Sequence, residues 1–247
     1  MTDHDDSERL ATAAGEVLLV LRAAAAAGRV GSEALRDTAD ALSNRLLLDA
    51  LAVTHPDDAV LSEEAADDKA RLDARRVWIV DPLDGTREYG EAGRSDWAVH
   101  VALWQDGALA AGAVALPALG VTFSTAVPVE LPAHPGGPVR LVVSRTRPPA
   151  EAEAIRDALD GELVPMGSAG AKAMSILRGE ADVYAHGGGQ YEWDSAAPVA
   201  VASAAGLHVS RLDGSPLVYN SANPYLPDLL ICRPEFAEAV LEVMAGR

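Results

Sequence analysis

Apolar residues in the first fifty positions recur at helical spacing. Leu10, Ala14, Val17, Leu18 and Leu21 share one face, which predicts a helix over residues 7–27 with Gly28 as its stop. Leu42, Leu46 and Leu47 predict a second helix over residues 38–53. His55-Pro56 closes it, because the residue before a proline resists helical backbone. The pattern then shortens to apolar runs at 59–62, 76–80, 97–104, 108–116 and 121–125, with Gln105-Asp106-Gly107 as a hairpin turn. This half reads as helices packed on an antiparallel sheet. Residues 128–138 hold four prolines and two glycines, an irregular connection at which the chain divides. Beyond it, strands at 139–143, 181–185 and 207–210 alternate with helices at 149–159, 168–178, 194–205 and 234–244, so a sheet covered by helices is expected. Ser168 reads as a helix cap, and Gly179 and Gly206 as helix stops.

The 247 residues suffice for one large domain or two smaller ones sharing a core. Alanine, leucine and valine dominate the apolar positions and aromatics are few, which favours close helix–helix and helix–sheet contacts. A net charge of −17 excludes a surface built for nucleic-acid polymers, which needs Lys and Arg to displace counterions. The same charge opposes a phosphate ester unless bound cations reverse the field locally. The single cysteine, Cys232, excludes a disulfide framework or a cysteine zinc site within one chain and fits a reducing compartment. Asp3, Asp5 and Asp6 stand where a signal peptide would carry Lys or Arg. The most apolar stretch, 17–27, lies between Glu16 and Arg29, is interrupted by Arg22 and is too short to span a bilayer. A cytoplasmic protein with no membrane partner is expected.

The run Asp81-Pro82-Leu83-Asp84-Gly85-Thr86 carries the most specific chemistry. A strand delivers the chain to Asp81, Pro82 removes one N–H donor, and Gly85 permits a tight reversal. The Leu83 carbonyl can then turn toward a cation. The N–H groups of Gly85 and Thr86 can face an anion if a helix starts at Thr86, and the Thr86 hydroxyl can hydrogen-bond an attacking water. The same hexapeptide also suits an ordinary Asp-Gly turn. Carboxylates without a neighbouring Cys or His favour Mg²⁺ or Mn²⁺ over Zn²⁺.

The other acids are ambiguous singly. Glu63 and Glu64 would point to opposite faces of a strand, so at most one is a natural ligand, and with Asp67 and Asp68 they also suit a solvated patch. Asp194 reads as a helix N-cap with Pro198 in the first turn. Asp40 pairs with Asp37 near the start of the second helix. His100, His134 and His208 read as structural, and Cys232 as a buried apolar residue. Arg145 and Arg147, between a strand and Pro148, are candidates to attract a distal phosphate.

Three segments, Leu61-Ser62-Glu63-Glu64, Trp78 through Tyr89, and Trp193 through Pro198, fall in an order and spacing that covers most of the chain. In them the sequence resembles the inositol monophosphatase-like superfamily of Mg²⁺-dependent, lithium-sensitive phosphatases. Arg87-Glu88-Tyr89 after Thr86, the run 167–174 and the run 187–194 are more similar to actinobacterial members of the CysQ group, the 3′(2′),5′-bisphosphate nucleotidases. The resemblance implies an α/β (α+β) fold, a layered αβαβα sandwich in two subdomains, with 1–127 carrying most metal ligands and 139–247 forming the second. It implies hydrolysis of 3′-phosphoadenosine 5′-phosphate, and of its sulfated analogue, to AMP or the corresponding sulfate and phosphate, with two or three Mg²⁺ ions (or Mn²⁺) per site. Glu63, Asp81 and the Leu83 carbonyl would hold one ion, and Asp81, Asp84 and Asp194 another. Asp40 and Thr86 would orient and deprotonate the nucleophilic water, with Glu64 supporting the metal ligands from behind. Gly85 and Thr86 N–H groups would bind the scissile phosphate. Glu63, Asp84, Ser168, Lys172, His186 and Asp194 would face the substrate. The resemblance also allows a homodimer, though nothing in this chain marks an interface.

The chain departs from the family pattern around Asp37-Thr38-Ala39-Asp40, in the four-residue spacing of Ser168 and Lys172, and at His186, where many relatives carry an arginine for the second phosphate. A neutral histidine is a poorer phosphate ligand than a bidentate arginine. Phosphate monoesters hydrolyse so slowly unaided that a site must supply roughly 20 kcal/mol. No side chain marks a phosphoenzyme route, since Ser195 lacks a paired base in sequence. In-line attack by water activated between two metals about 4 Å apart is therefore expected. Two other readings stand beside this one: a broad inositol monophosphatase or fructose-1,6-bisphosphatase, favoured by His186, and a catalytically silent metal- or nucleotide-binding protein.

Overall fold

A computed structural model describes residues 2–27 and 32–246. The expected stop at Gly28 and the flanking Arg29 lie outside the described residues. Helix α1 (Asp3–Ala26) starts four residues before the periodicity predicts, because Thr2 and Asp5 close a capping box ahead of it. It buries Leu10, Ala11, Ala14 and Leu18. Helix α2 (Ser32–Thr54) also begins early, and its added turns extend the apolar face with Leu35.

Strands β1 (Ala59–Ser62), β2 (Arg76–Asp84), β3 (Ala98–Gln105), β4 (Ala108–Leu116) and β5 (Val121–Ser124) form one sheet in that order. β2 through β5 pair antiparallel, as expected, but β1 runs parallel to β2. The crossover between them, residues 63–75, carries Glu63 and Glu64 in a turn rather than on a strand. β2 continues through Asp81 to Asp84 over an irregularity in its pairing with β3. Helix α3 (Thr86–Gly90) follows at once, with Gly85 in the left-handed region at φ 85°.

The proline-rich segment 128–138 is irregular. After it come β6 (Arg140–Ser144), α4 (Ala150–Ala158), β7 (Glu162–Met166), α5 (Ala169–Leu177), β8 (Val183–His186), β9 (Gln190–Tyr191) and α6 (Glu192–Ala204). β10 (His208–Ser210), β11 (Tyr225–Leu226), β12 (Leu229–Cys232) and α7 (Pro234–Ala245) complete the chain. The second sheet has the order β10-β12-β8-β6-β7, and β9 pairs with β11 separately. β7, β9, β11 and β12 do not emerge from the sequence pattern. Pro165 within β7 argues against a strand, yet β7 is an edge strand, where a missing N–H is tolerated.

Three clusters of buried side chains separate five layers. Leu10, Leu18, Leu47, Trp78 and Trp97 fill the space between α1, α2 and the first sheet. Ile79, Val114, Met174, Tyr184 and Val201 join both sheets to α5 and α6. Leu141, Ile155, Leu230 and Val240 lie under α4 and α7. The expected αβαβα sandwich is the observed arrangement. Among the described residues, no helix is long and apolar enough to cross a membrane.

Candidate functional site

The C-terminal end of β2 brings the acids together. Oxygens of Asp81, Asp84 and Asp194 lie within 4.8 Å of one another. Asp81 is fully buried, and its Oδ1 accepts the Leu83 N–H at 3.0 Å, which fixes the turn at Pro82. The Leu83 carbonyl accepts the Thr86 hydroxyl at 3.1 Å. Gly85 and Thr86 open α3, so their N–H groups belong to the end of the helix that lacks intrahelical acceptors. An added Cβ at Gly85 would lie 3.1 Å from the Ser168 Cβ, so the turn abuts α5 closely.

Helix α2 presents Asp40 to the same place. Ser43 donates to the Pro82 carbonyl at 2.7 Å, and the Ser62 hydroxyl donates to Asn44 Oδ1 at 2.8 Å, which docks α2 on the ends of β1 and β2. Asp40 Oδ1 is buried without a hydrogen-bond partner. Glu63 as a residue is exposed at the mouth, while its carboxyl neighbours that of Asp81. Glu64 is exposed and its N–H donates to the Ser62 hydroxyl.

Asp194 enters differently from the expectation. α6 starts at Glu192, with Tyr191 as its cap, so Asp194 occupies the third helical position and accepts the Tyr191 N–H at 2.7 Å. Pro198 accordingly lies inside the helix, not in its first turn, and cannot donate to the Asp194 carbonyl four residues earlier.

Asp84 is held from the other side of the cleft. Its Oδ2 accepts the Ser168 hydroxyl at 2.5 Å and the Gly170 N–H at 2.7 Å, and its Oδ1 accepts the Ala169 N–H at 3.1 Å. The start of α5 is thus a cradle for this carboxylate. Ser168 is its cap, as the sequence predicts, and its hydroxyl also accepts the Ala171 N–H. Lys172 is buried, donates to the Ser168 carbonyl at 2.7 Å and lies 5.2 Å from the centre of the Tyr184 ring. His186 is half-buried with Nε2 3.3 Å from the Gly189 carbonyl oxygen.

One residue of the site is read from sequence as merely structural. His100 is fully buried, pairs in register with Asp81 across β2 and β3, and places Nε2 3.2 Å from Asp84 Oδ2. Its Nδ1 lies 3.0 Å from the Trp193 carbonyl oxygen. A Cβ at Gly170 would fall 2.1 Å from His100 Nε2, so only glycine lets α5 approach this closely. The available signal was a single polar residue in an otherwise apolar strand. Arg145 is a correction of the opposite kind: its guanidinium is paired with Glu88 at 2.6 Å and Glu91 at 2.5 Å, so it is not free to attract a phosphate.

The electrostatics expose a deficit of positive charge. Burial, then the charge of Glu64, pushes Asp40 up to about 7. Desolvation, then Asp194, pushes Glu63 to about 7. Asp194 rises to about 6 through burial and the charge of Asp84, and Asp81 lies well above its ordinary value for the same kinds of reason. Asp84 is the exception. Burial opposes its charge, but His100, Lys172 and Ser168 outweigh that and hold it below the usual carboxylate range. Four acids that resist ionisation, one of them Asp40 with its orphaned oxygen, suit hard divalent cations, and every one of them is an oxygen donor.

The layered fold is shared with solved inositol monophosphatase-family structures. CysQ from Bacteroides thetaiotaomicron superposes with a TM-score of 0.74 at 26% identity, covering 91% of this chain and 94% of that one. The sequence model of the Inositol monophosphatase family matches residues 4–131 and 137–244, and the chain belongs to that family. A relative from Mycobacterium leprae (strain TN), named 3′-phosphoadenosine 5′-phosphate phosphatase, is 52% identical over 256 residues, covering 99% of this chain and 94% of that protein. The 3′(2′),5′-bisphosphate nucleotidase CysQ of Escherichia coli (strain K12) is 32% identical over 200 residues, covering 76% of this chain and 80% of that protein.

Proposed function

We propose that this protein is a divalent-metal-dependent phosphomonoesterase that removes the 3′-phosphate of 3′-phosphoadenosine 5′-phosphate, giving AMP and inorganic phosphate. The observation that carries the chemistry is the gathering of Asp81, Asp84 and Asp194 oxygens within 4.8 Å, at the end of one strand and the start of one helix. The substrate is supported by the 52% identical relative of that name.

Glu63, Asp81, Asp84, Asp194 and the Leu83 carbonyl would hold Mg²⁺, Mn²⁺ being compatible with the same oxygens. Bound there, the ions supply Lewis-acid polarisation of the phosphate and lower the pKa of water. Asp40, with its unpartnered Oδ1, accepts the proton of the attacking water, and the Thr86 hydroxyl fixes that water's orientation. Glu64 lies close enough to Asp40 to raise its basicity. The N–H groups of Gly85 and Thr86 receive the phosphate oxygens. Lys172, buried behind Ser168, adds a fixed positive charge without leaving its place. His186 borders the cleft, where desolvation keeps it neutral.

That neutral His186 favours one second reading, a broader phosphatase of inositol or sugar phosphates. Initial rates of phosphate release from 3′-phosphoadenosine 5′-phosphate, inositol 1-phosphate and fructose 1,6-bisphosphate separate the two. The nucleotide is expected to have the highest kcat/KM, and a preference for either sugar ester overturns the nucleotide assignment. Absence of release from all three at millimolar Mg²⁺ leaves the silent binding protein.

A further inference from the structure

The β9–β11 ribbon beside the acidic cleft carries an aromatic assembly to which the chemistry above gives no task. Tyr191 stacks on Trp193 with ring centres 4.8 Å apart and planes 6° from parallel. Tyr225 meets Tyr191 edge-on, with centres 6.0 Å apart and planes at 84°. The two tyrosines are cross-strand partners in the ribbon, which puts their side chains on one face. Trp193 is rooted in the central core, but Tyr191 remains 45% exposed and Tyr225 48% exposed. Aromatics are scarce in this chain, so two half-exposed rings in one corner are an unusual use of them.

Two routes connect this corner to the acids. The Tyr191 backbone N–H is the group that Asp194 accepts, so the ring stands at the base of the helix that presents Asp194. On the other side, Gly189 lies under Tyr225: a Cβ there would fall 2.3 Å from the Tyr225 Oη. The Gly189 carbonyl contacts His186, which feels the charge of Lys172 behind Asp84. The corner is therefore tied at one end to Asp194, through the Tyr191 N–H, and at the other to His186, through the Gly189 carbonyl.

Resting on the nucleotide reading above, we propose that Tyr191 and Tyr225, backed by Trp193, form the subsite that stacks the purine base of the substrate. Stacking is independent of charge, and so is a form of recognition open to a strongly acidic protein with few cations at this site. A flat base lies against one ring with its edge toward the other, and the ribose then carries the 3′-phosphate down to Asp84 and Asp194. No conformational change of the backbone is needed, because the rings are already fixed by the ribbon and the cap.

The test is direct binding, by calorimetry at millimolar Mg²⁺, of AMP and of ribose 5-phosphate, which lacks the base. The wild-type protein is expected to prefer AMP by roughly tenfold to a hundredfold, the range of one stacked base. Tyr191→Ala keeps the backbone N–H that caps α6, so the fold and Asp194 are retained, and it should collapse the preference to within a few-fold. Tyr191→Phe keeps the ring and should keep the preference, and Tyr225→Ala should lower it in part. An AMP preference unchanged in Tyr191→Ala, or no preference in the wild type, overturns the platform. Because this readout is binding, it stands apart from turnover: phosphate release without base preference would sink the platform alone, and base preference without release would sink the hydrolytic reading alone.

Discussion

His100 Nε2 lies 3.2 Å from Asp84 Oδ2, inside a contact that also includes the first N–H groups of α5. This pair joins the first sheet to the helix layer at the point where the acids converge. Burial opposes the imidazolium, but the Asp84 charge and the Trp193 carbonyl raise the His100 pKa above its ordinary value. The two groups therefore favour each other's charged forms, while the neighbouring acids are driven toward neutrality.

Replacing His100 by alanine removes one partner from a buried pair, and a loss of about 3 kcal/mol in stability is expected. Asp84 would also lose one of the groups that hold it, so metal affinity should fall roughly tenfold to a hundredfold. Chemical denaturation and a Mg²⁺ titration of the same variant check both. Gly170→Ala, whose Cβ would fall 2.1 Å from the His100 Nε2, should reproduce the metal defect without deleting the imidazole.

Asp81→Asn leaves shape and volume nearly unchanged in a fully buried position. It removes one of the mutually repelling carboxylates, so the metal-free protein should melt at an equal or higher temperature than the wild type. Turnover should nevertheless drop on the order of a thousandfold or more, since the account gives Asp81 to both metal positions. Parallel melts in EDTA and phosphate-release assays read the two effects; retained turnover removes Asp81 from the centre.

The acids also set a pH dependence for the metal-free protein. Asp40 and Glu63 hold their protons to about 7 in the folded chain, against about 4 in the unfolded one. The folded state thus binds more protons than the unfolded state across that window, and stability contributed by these groups is lost as pH rises through it. Cations replace the departing protons, so the rise in melting temperature on adding Mg²⁺ should be larger at about pH 8 than at about pH 5. Scanning calorimetry with and without EDTA at the two pH values measures this, and a Mg²⁺ effect independent of pH argues against ion binding by these acids.

Arg71 is 1% exposed and ties the crossover that follows Glu63 to a distant loop: it pairs with Asp67 and donates to Asn220 Oδ1 and the Ser221 carbonyl. The N–H groups of Asn220 and Ser221 in turn donate to buried Glu192, in the first turn of α6. Arg71→Met fills the space but strands those acceptors, and a loss of about 3 kcal/mol is expected in urea unfolding. A neutral result would show that the crossover is held by its other contacts.

The sequence was most legible where chemistry forces residue type. Asp81 through Thr86 needed a proline, a glycine and two acids in order, and the structure places that run at the mouth of the sheet. The alternating second half also read correctly as a helix-covered sheet. What did not read is what depends on partners distant in sequence. His100 gains its place from a strand register and from α5 approaching over Gly170, neither visible in its own neighbourhood. The parallel pairing of β1 is likewise set by the crossover's path. β7 was hidden because Pro165 is permitted only by its edge position. The shift of α6 by two residues follows from Asp194 bonding back to Tyr191 instead of capping the helix itself.

The most direct measurement is phosphate release from 3′-phosphoadenosine 5′-phosphate by protein stripped with EDTA, before and after Mg²⁺ is restored. The account predicts background rates in the stripped protein and, on adding Mg²⁺, equal amounts of phosphate and AMP. Undiminished turnover in EDTA, or release of the 5′-phosphate instead, would contradict it.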